Sequence, residues 1–392
     1  MEIIALASAD SLASGLAGTP TLTSGDSLSA GLAGATGFTS IDAALFAIFL
    51  LVLILPFRVK KIEHNIEAFL FVMGAAAVTV TGKWGLDLVR TAVEEPVKKG
   101  IVPAVLLAGL VFYYGRRPFE KAMGGLLRRL SPKNSVFLVI LILGLLSSVI
   151  TAIMAAIFLV EIVNLMPLRR KDKINLVIIA CFAIGLGAAL TPIGEPLSTI
   201  VIVKLACAPY NADFWYLMRH IGPLVVVGII ALAFFGAFYV GRKARVHRED
   251  VALVAGGLTE VFVRAGKVYA FVAALFLLGA GMEVVILKYF SHIRAEVLFW
   301  VNMVSAVLDN ATLAAAEISP TLRQSQIDGA LYGLLISGGM LIPGNIPNII
   351  SAGKLGIKSS EWAKLGVLLG LALNVIYFLI VFVLDYRPGF PI

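Results

Sequence analysis

Two stretches of this chain, Ile221–Gly241 and Leu365–Leu384, are long and nearly free of charge. Each has the length needed to cross about 30 Å of hydrocarbon as a helix. A soluble fold cannot accommodate many such runs, because it must keep polar surface in water. Charged residues make up only 14% of the 392 residues, against 59% hydrophobic, and mean hydropathy is +0.96. A soluble protein of this size carries about a quarter charged residues, so the sequence specifies an all-α polytopic membrane protein.

The net charge of +8 follows from the tendency of Lys and Arg to collect on the cytoplasmic side of membrane proteins. It does not indicate a nucleic-acid partner. Cys181 and Cys207 both fall in apolar segments and are expected to be small core residues. The spans hold no Ser/Lys, Ser/His or His-based metal set, and the four histidines sit near loops or span ends. Neither an enzyme nor a bound cofactor is expected. Residues 1–40 form an Ala/Gly/Ser-rich tail in which Asp10–Gly18 recurs as Asp26–Gly34, and the tail has no Lys or Arg. It lacks the charged start of a signal peptide.

Complete crossings are expected at 41–57, 65–82, 101–116, 174–208, 220–240, 267–283, 328–355 and 361–384. Residues 134–166 and 294–318 are apolar with small or polar residues at their middles. Arms of roughly 12–15 residues fit re-entrant hairpins better than spans. With both treated so, segments 58–66, 116–133, 167–173, 242–267 and 353–364 share one side and hold 22 of the 32 Lys and Arg. That side is the cytoplasmic one, and both termini are expected outside. Two stretches read as amphipathic: Arg116–Arg129 on the inner surface and 86–99 on the outer.

The order hairpin, loop, interrupted helix occurs twice. Thr191-Pro192-Ile193-Gly194-Glu195-Pro196 interrupts the first helix, within 174–208, and Pro343-Gly344-Asn345-Ile346-Pro347-Asn348 the second, within 328–355. Proline removes a backbone donor and clashes with the preceding turn. A pair of prolines with glycine should therefore open each helix near the membrane midplane. Lys204 and Lys354 are expected to snorkel at the far ends of the second half-helices. The first hairpin opens from inside and the second from outside, so the units 41–208 and 209–392 are expected to be inverted repeats. Paired broken helices in inverted repeats mark a midplane substrate site, since unwound backbone is tolerated only inside protein or against a water-filled cavity.

At these residues the chain resembles the ion transporter superfamily, which includes NhaD-type sodium/proton antiporters, arsenite permeases, citrate–metal carriers and divalent anion/sodium symporters. Thr191-Pro192-Ile193-Gly194 is similar to that group's Thr-Pro-Ile-Gly break, and Leu308-Asp309-Asn310-Ala311-Thr312 to its Asp-Asn-Ala/Thr hairpin tip. The resemblance covers about 130–385 and is nearest to a set of predicted cation transporters. It implies a scaffold with a moving transport part, often a homodimer, with ion sites at hairpin tips and helix breaks. The first tip reads Ser147-Ser148-Val149-Ile150-Thr151 and departs from the Ser-Asn-Thr of carboxylate symporters.

Glu195 and Asp309 decide the expected substrate. Two carboxylates near the bilayer centre attract cations and repel dianions, and an ionisable group there is functional by default. Thr191, Ser198, Thr199, Asn310, Thr312, Asn345 and Asn348, with Thr151 a weaker candidate, supply the oxygen ligands a hard cation needs. Glu161 and Glu317, in the outgoing hairpin arms, are expected to be paired locally or solvated. The expected function is exchange of a small inorganic cation, Na⁺ first, for protons by alternating access across a bacterial or archaeal cytoplasmic membrane. A sodium-coupled anion symporter is the alternative, and an ion channel a further one.

Overall fold

The computed structural model describes residues 38–59, 62, 65–98, 102–103, 105–107, 109–111, 113–115, 130–166, 168–241, 258–308 and 310–386. The N-terminal tail before residue 38, the whole of the expected inner amphipathic helix at 116–129, and Asp309 lie outside them. No strand occurs among the described residues.

Helices α1 (Ser40–Arg58), α2 (Ile66–Thr81) and α3 (Leu86–Lys98) come first. A reciprocal cap starts α1: Asp42 N donates to Thr39 Oγ1 at 3.2 Å, and Thr39 N donates to the Asp42 carboxylate at 2.7 Å. Next come α4 (Pro132–Ile150) and α5 (Ala152–Leu165), which pack together as a hairpin. Ser131 caps α4 and Pro132 sits in its first turn, where the missing N–H costs nothing. The hairpin turns on Thr151, whose φ of 83° lies in the left-handed region. That region costs a β-branched residue free energy, and the surrounding packing must supply it.

The first interrupted helix consists of α6 (Arg170–Ala188) and α7 (Pro196–Lys204). After it come the short α8 (Tyr216–His220), then α9 (Gly222–Tyr239) and α10 (Leu258–Val285). The second hairpin has α11 (Ala295–Val301) continued by a 3₁₀ turn over Asn302–Ala306, then α12 (Asn310–Glu317). The second interrupted helix is α13 (Gln324–Ser337) and α14 (Ile346–Leu355), and α15 (Ser359–Phe378) ends the described helices apart from a short π continuation.

Among the described residues, four helical stretches are long and apolar enough to cross a membrane: Pro132–Ile150, Gly222–Tyr239, Val261–Tyr289 and Ser359–Val383. The protein is an all-α membrane protein. Its core is built around α6 and α13, each buried on nearly every face. Such helices carry apolar residues all round rather than on a stripe. On α6 lie α4, α5, α9 and α15; on α13 lie α11, α12 and α15. The α2 and α10 helices form the most extensive helix pair among the described residues. Backbones come very close where α4 crosses α6: a Cβ placed on Gly187 would lie 1.8 Å from the Gly144 carbonyl oxygen. Small residues at crossings permit this approach between membrane helices.

Four expectations need correction. At 19 residues, α4 is longer than a 12–15-residue re-entrant arm and has the length of a span. The cap at Ser131 starts the helix earlier than the apolar pattern indicates. Cys207 is exposed, because α7 stops at Lys204 and the chain turns out of the core; Cys181 is buried in α6 as expected. Lys204 does not snorkel. It is 8% exposed and its ammonium donates to the Ala315 carbonyl, because α12 packs across α7 and offers the unsatisfied carbonyls of its last turn. Glu317 is likewise buried, at 6% exposure, rather than solvated.

Candidate functional site

The first interruption runs from Ala189 to Glu195. It frees backbone groups inside the protein, and each must find a partner or cost stability. Ser198 Oγ donates to the Ala188 carbonyl at 3.2 Å, and Thr199 Oγ1 to the Pro192 carbonyl at 2.8 Å. The Gly194 carbonyl accepts from Ala152 N at 2.9 Å, and the Thr191 hydroxyl donates to the Ser148 carbonyl. These last two bonds tie the tip of the α4–α5 hairpin to the break. Thr151 itself caps α5 by accepting from Met154 N at 3.4 Å. Only glycine fits at 194, since a Cβ there would lie 2.0 Å from the Ala188 oxygen.

The second interruption runs from Gly338 to Asn345 and contains a 3₁₀ turn over Ile342–Gly344, which includes Pro343. Asn348 Nδ2 donates to the Gly338 and Leu341 carbonyls at 2.9 and 2.8 Å. Ser305 Oγ, from the second hairpin, donates to the Leu334 carbonyl at 3.0 Å. Ser147 Oγ makes the matching contact in the first hairpin, 2.9 Å from the Ile184 carbonyl.

The two breaks are built alike. Ser198 and Asn348 each bond a carbonyl ten residues earlier. Thr199 and Asn348 each bond one seven residues earlier. Glu195 and Asn345 each occupy the N-cap position of the second half-helix, both with φ of −153° and both followed by a first-turn proline, Pro196 or Pro347. They differ in charge: a carboxylate stands at the first break and an amide at the second.

Glu195 is 5% exposed and lines a cavity of about 330 Å³. The cavity runs along the first break, with Pro192, Gly194, Pro196 and Thr199 in its wall, and reaches Ile346 at the start of α14. On the far side are Glu67 of α2 and Lys267 of α10, which form a 3.4 Å ion pair. Lys267 is half exposed, so this pair is the polar rim of the cavity.

The remaining expected ligands are not in that wall. Thr191, Ser198, Thr312, Asn310, Asn345 and Asn348 are buried around the breaks. Asn310 Nδ2, Asn345 Oδ1 and Asn348 Oδ1 are buried with no hydrogen-bond partner, an unusual concentration of unmet amide atoms in one region. The Asn345 amide presses against the first broken helix, where a Cβ on Gly185 would lie 2.6 Å from its Nδ2. Among the described residues no group of three or more His, Cys, Asp or Glu is gathered. Of the two carboxylates that line the cavity, Glu195 and Glu67, the second is engaged by Lys267.

Sequence reasoning passed over Glu67 and Lys267, because charges at span ends read as topology signals. Only the packing of α2 on α10 brings them together. Asn374 of α15 was also passed over. It is fully buried and its Nδ2 donates to Ser337 Oγ at 3.1 Å, at the end of α13. A lone amide within an apolar run was the available signal.

A family model described as "Protein of unknown function (DUF1646)" matches residues 42–384. The chain belongs to the DUF1646 family. The DUF1646 match takes in both hairpins, both interrupted helices and the α2–α10 pair, and begins after the Ala/Gly/Ser-rich tail. No curated protein matches the chain.

Proposed function

We propose that this DUF1646 protein is a secondary active transporter that exchanges a cation, Na⁺ first, for protons by alternating access. The observation that carries the reading is Glu195: a carboxylate buried at a helix interruption, in the wall of a cavity whose rim is an exposed ion pair. Placing an ionisable group in an apolar span costs several kcal/mol on some scales and is retained where it serves an ion path. Open backbone beside it is tolerated for the same purpose. Thr199 at the wall and the carbonyls of the break offer oxygen ligands of the kind Na⁺ takes.

The paired construction of the breaks supports two inverted repeats meeting at the midplane, with hairpin tips against interrupted helices. The unmet amide atoms of Asn310, Asn345 and Asn348 support a second ion position at the second break, next in sequence to the expected ligand Asp309. The N-termini of α7 and α14 would also suit an anion. Glu195 places a negative charge at one of them, which favours cation over anion transport.

The test is reconstitution into proteoliposomes carrying an internal pH dye. A Na⁺ gradient should drive proton movement in the wild-type protein, and Glu195→Gln should reduce it to the rate of empty vesicles. Unchanged transport in both Glu195→Gln and Asp309→Asn would rule the exchange out, and uptake of an anion requiring Na⁺ would replace it with symport.

A further inference from the structure

A second group of buried ionisable residues lies away from the Glu195 cavity. Lys204 ends α7 and Glu317 ends α12, at 8% and 6% exposure, and α7 packs directly on α12. Asn302, in the 3₁₀ segment before the second hairpin tip, is 1% exposed and faces the same carboxyl. Two features show that the cluster is not a closed ion pair. The Lys204 ammonium donates to the Ala315 carbonyl rather than to the carboxylate. Glu317 Oε1 is buried with no hydrogen-bond partner.

A buried carboxylate that served only to neutralise Lys204 would be expected in direct contact with it, because full pairing is what offsets desolvation. Here the lysine is satisfied by a helix end and one carboxylate oxygen remains open. The charge that acts on Glu317 is Lys204. The other elements packed on α12 bring charges that are already engaged. From α1 comes Asp42, paired at 2.8 Å with Lys288 of the π turn that follows α10; α10 itself brings Glu283 and Lys267, paired with Lys83 and Glu67; and from α13 comes Asp328, which accepts from Gln324 at 2.7 Å.

We propose that Glu317 is a proton-binding site separate from the cation site at Glu195, with Lys204 as the residue that positions and tunes it. The proposal rests on the cation/proton reading above and deepens it, by assigning proton and cation to different carboxylates. In the binding step a hydronium ion gives up one proton, its O–H bond breaking as an O–H bond forms at Glu317 Oε1 and a water molecule leaves, while Lys204 remains an ammonium, so the cluster changes from net neutral to net positive; release is the reverse. Because α12 belongs to the second hairpin and α7 to the first broken helix, the proton site lies across the junction between the two halves of the transport machinery.

Three measurements on purified, reconstituted protein test this: Na⁺ binding to the detergent-solubilised protein by isothermal calorimetry, Na⁺-driven proton movement, and the pH profile of that movement. Glu317→Gln should retain Na⁺ affinity to within about twofold and lose proton movement by about tenfold or more. Glu195→Gln should lose Na⁺ binding itself. Glu317→Asp should restore part of the proton movement with a displaced pH profile, and Lys204→Arg should retain more activity than Lys204→Met. Proton movement in Glu317→Gln with the wild-type pH profile would overturn the assignment. So would loss of Na⁺ binding in monodisperse, folded Glu317→Gln, which would make the residue structural. Absence of Na⁺-driven proton movement in the wild type would instead sink the exchange reading itself.

Discussion

At the scale of single residues, opened backbone gathers buried polar side chains around it. Ser147, Thr191, Ser198, Thr199 and Asn348 all spend a donor on a main-chain carbonyl near a break. Their oxygens keep lone pairs, so the same side chains stabilise the unwound backbone and present ligand atoms. Closeness of approach is equally constrained. Gly187→Ala would drive a methyl into the Gly144 carbonyl on a neighbouring helix, and backbone cannot yield as a side chain can. The expected cost is about 3 kcal/mol, visible as a lower temperature of aggregation on size-exclusion chromatography after heating. A variant with wild-type heat resistance would mean that α4 and α6 separate freely. The need for glycine at 187 could not be read from sequence, where it is one of 37; it depends on which helix crosses there.

At the scale of elements, the proline pairs marked both interruptions, because a missing N–H and a ring clash act locally, whatever the tertiary setting. Helix ends were less legible. The start of α4 is set by Ser131 and Pro132 outside the apolar run, and the end of α7 at Lys204 is set by what α12 offers. The α3 helix shows a further division. Ala92 and Pro96 are buried against the protein; Leu86, Val89, Val93 and Val97 form an exposed apolar stripe; and Arg90, Glu94 and Lys98 are joined by ion pairs beside it. Such a helix suits the boundary of protein, lipid and water. A spin label at Val93→Cys, in a background lacking Cys181 and Cys207, should relax more with oxygen than with a water-soluble nickel chelate. A label at Arg90→Cys should show the opposite order, and equal nickel access at both positions would place α3 in water.

At the scale of the whole molecule, hydropathy made the membrane class plain, and charge asymmetry supplied an orientation that a native cysteine can check. Cys207 is exposed in the turn after α7, whereas Cys181 is buried. In intact cells a membrane-impermeant maleimide should modify Cys207, expected outside, and spare Cys181. Labelling of Cys207 only in inverted vesicles would reverse the orientation. The site as a constellation was much less legible than the class, since Glu195 meets Glu67 and Lys267 only after helices far apart in the chain pack together. Where the two interrupted helices meet, the amide of Asn345 occupies the space in front of Gly185, where even a methyl group would collide with it. Positions 185 and 345 therefore share one small volume between them. Across DUF1646 sequences they should covary in size, with bulk gained at 185 accompanied by bulk lost at 345, and Gly185→Ala should be rescued by Asn345→Ser in stability even where transport is not restored.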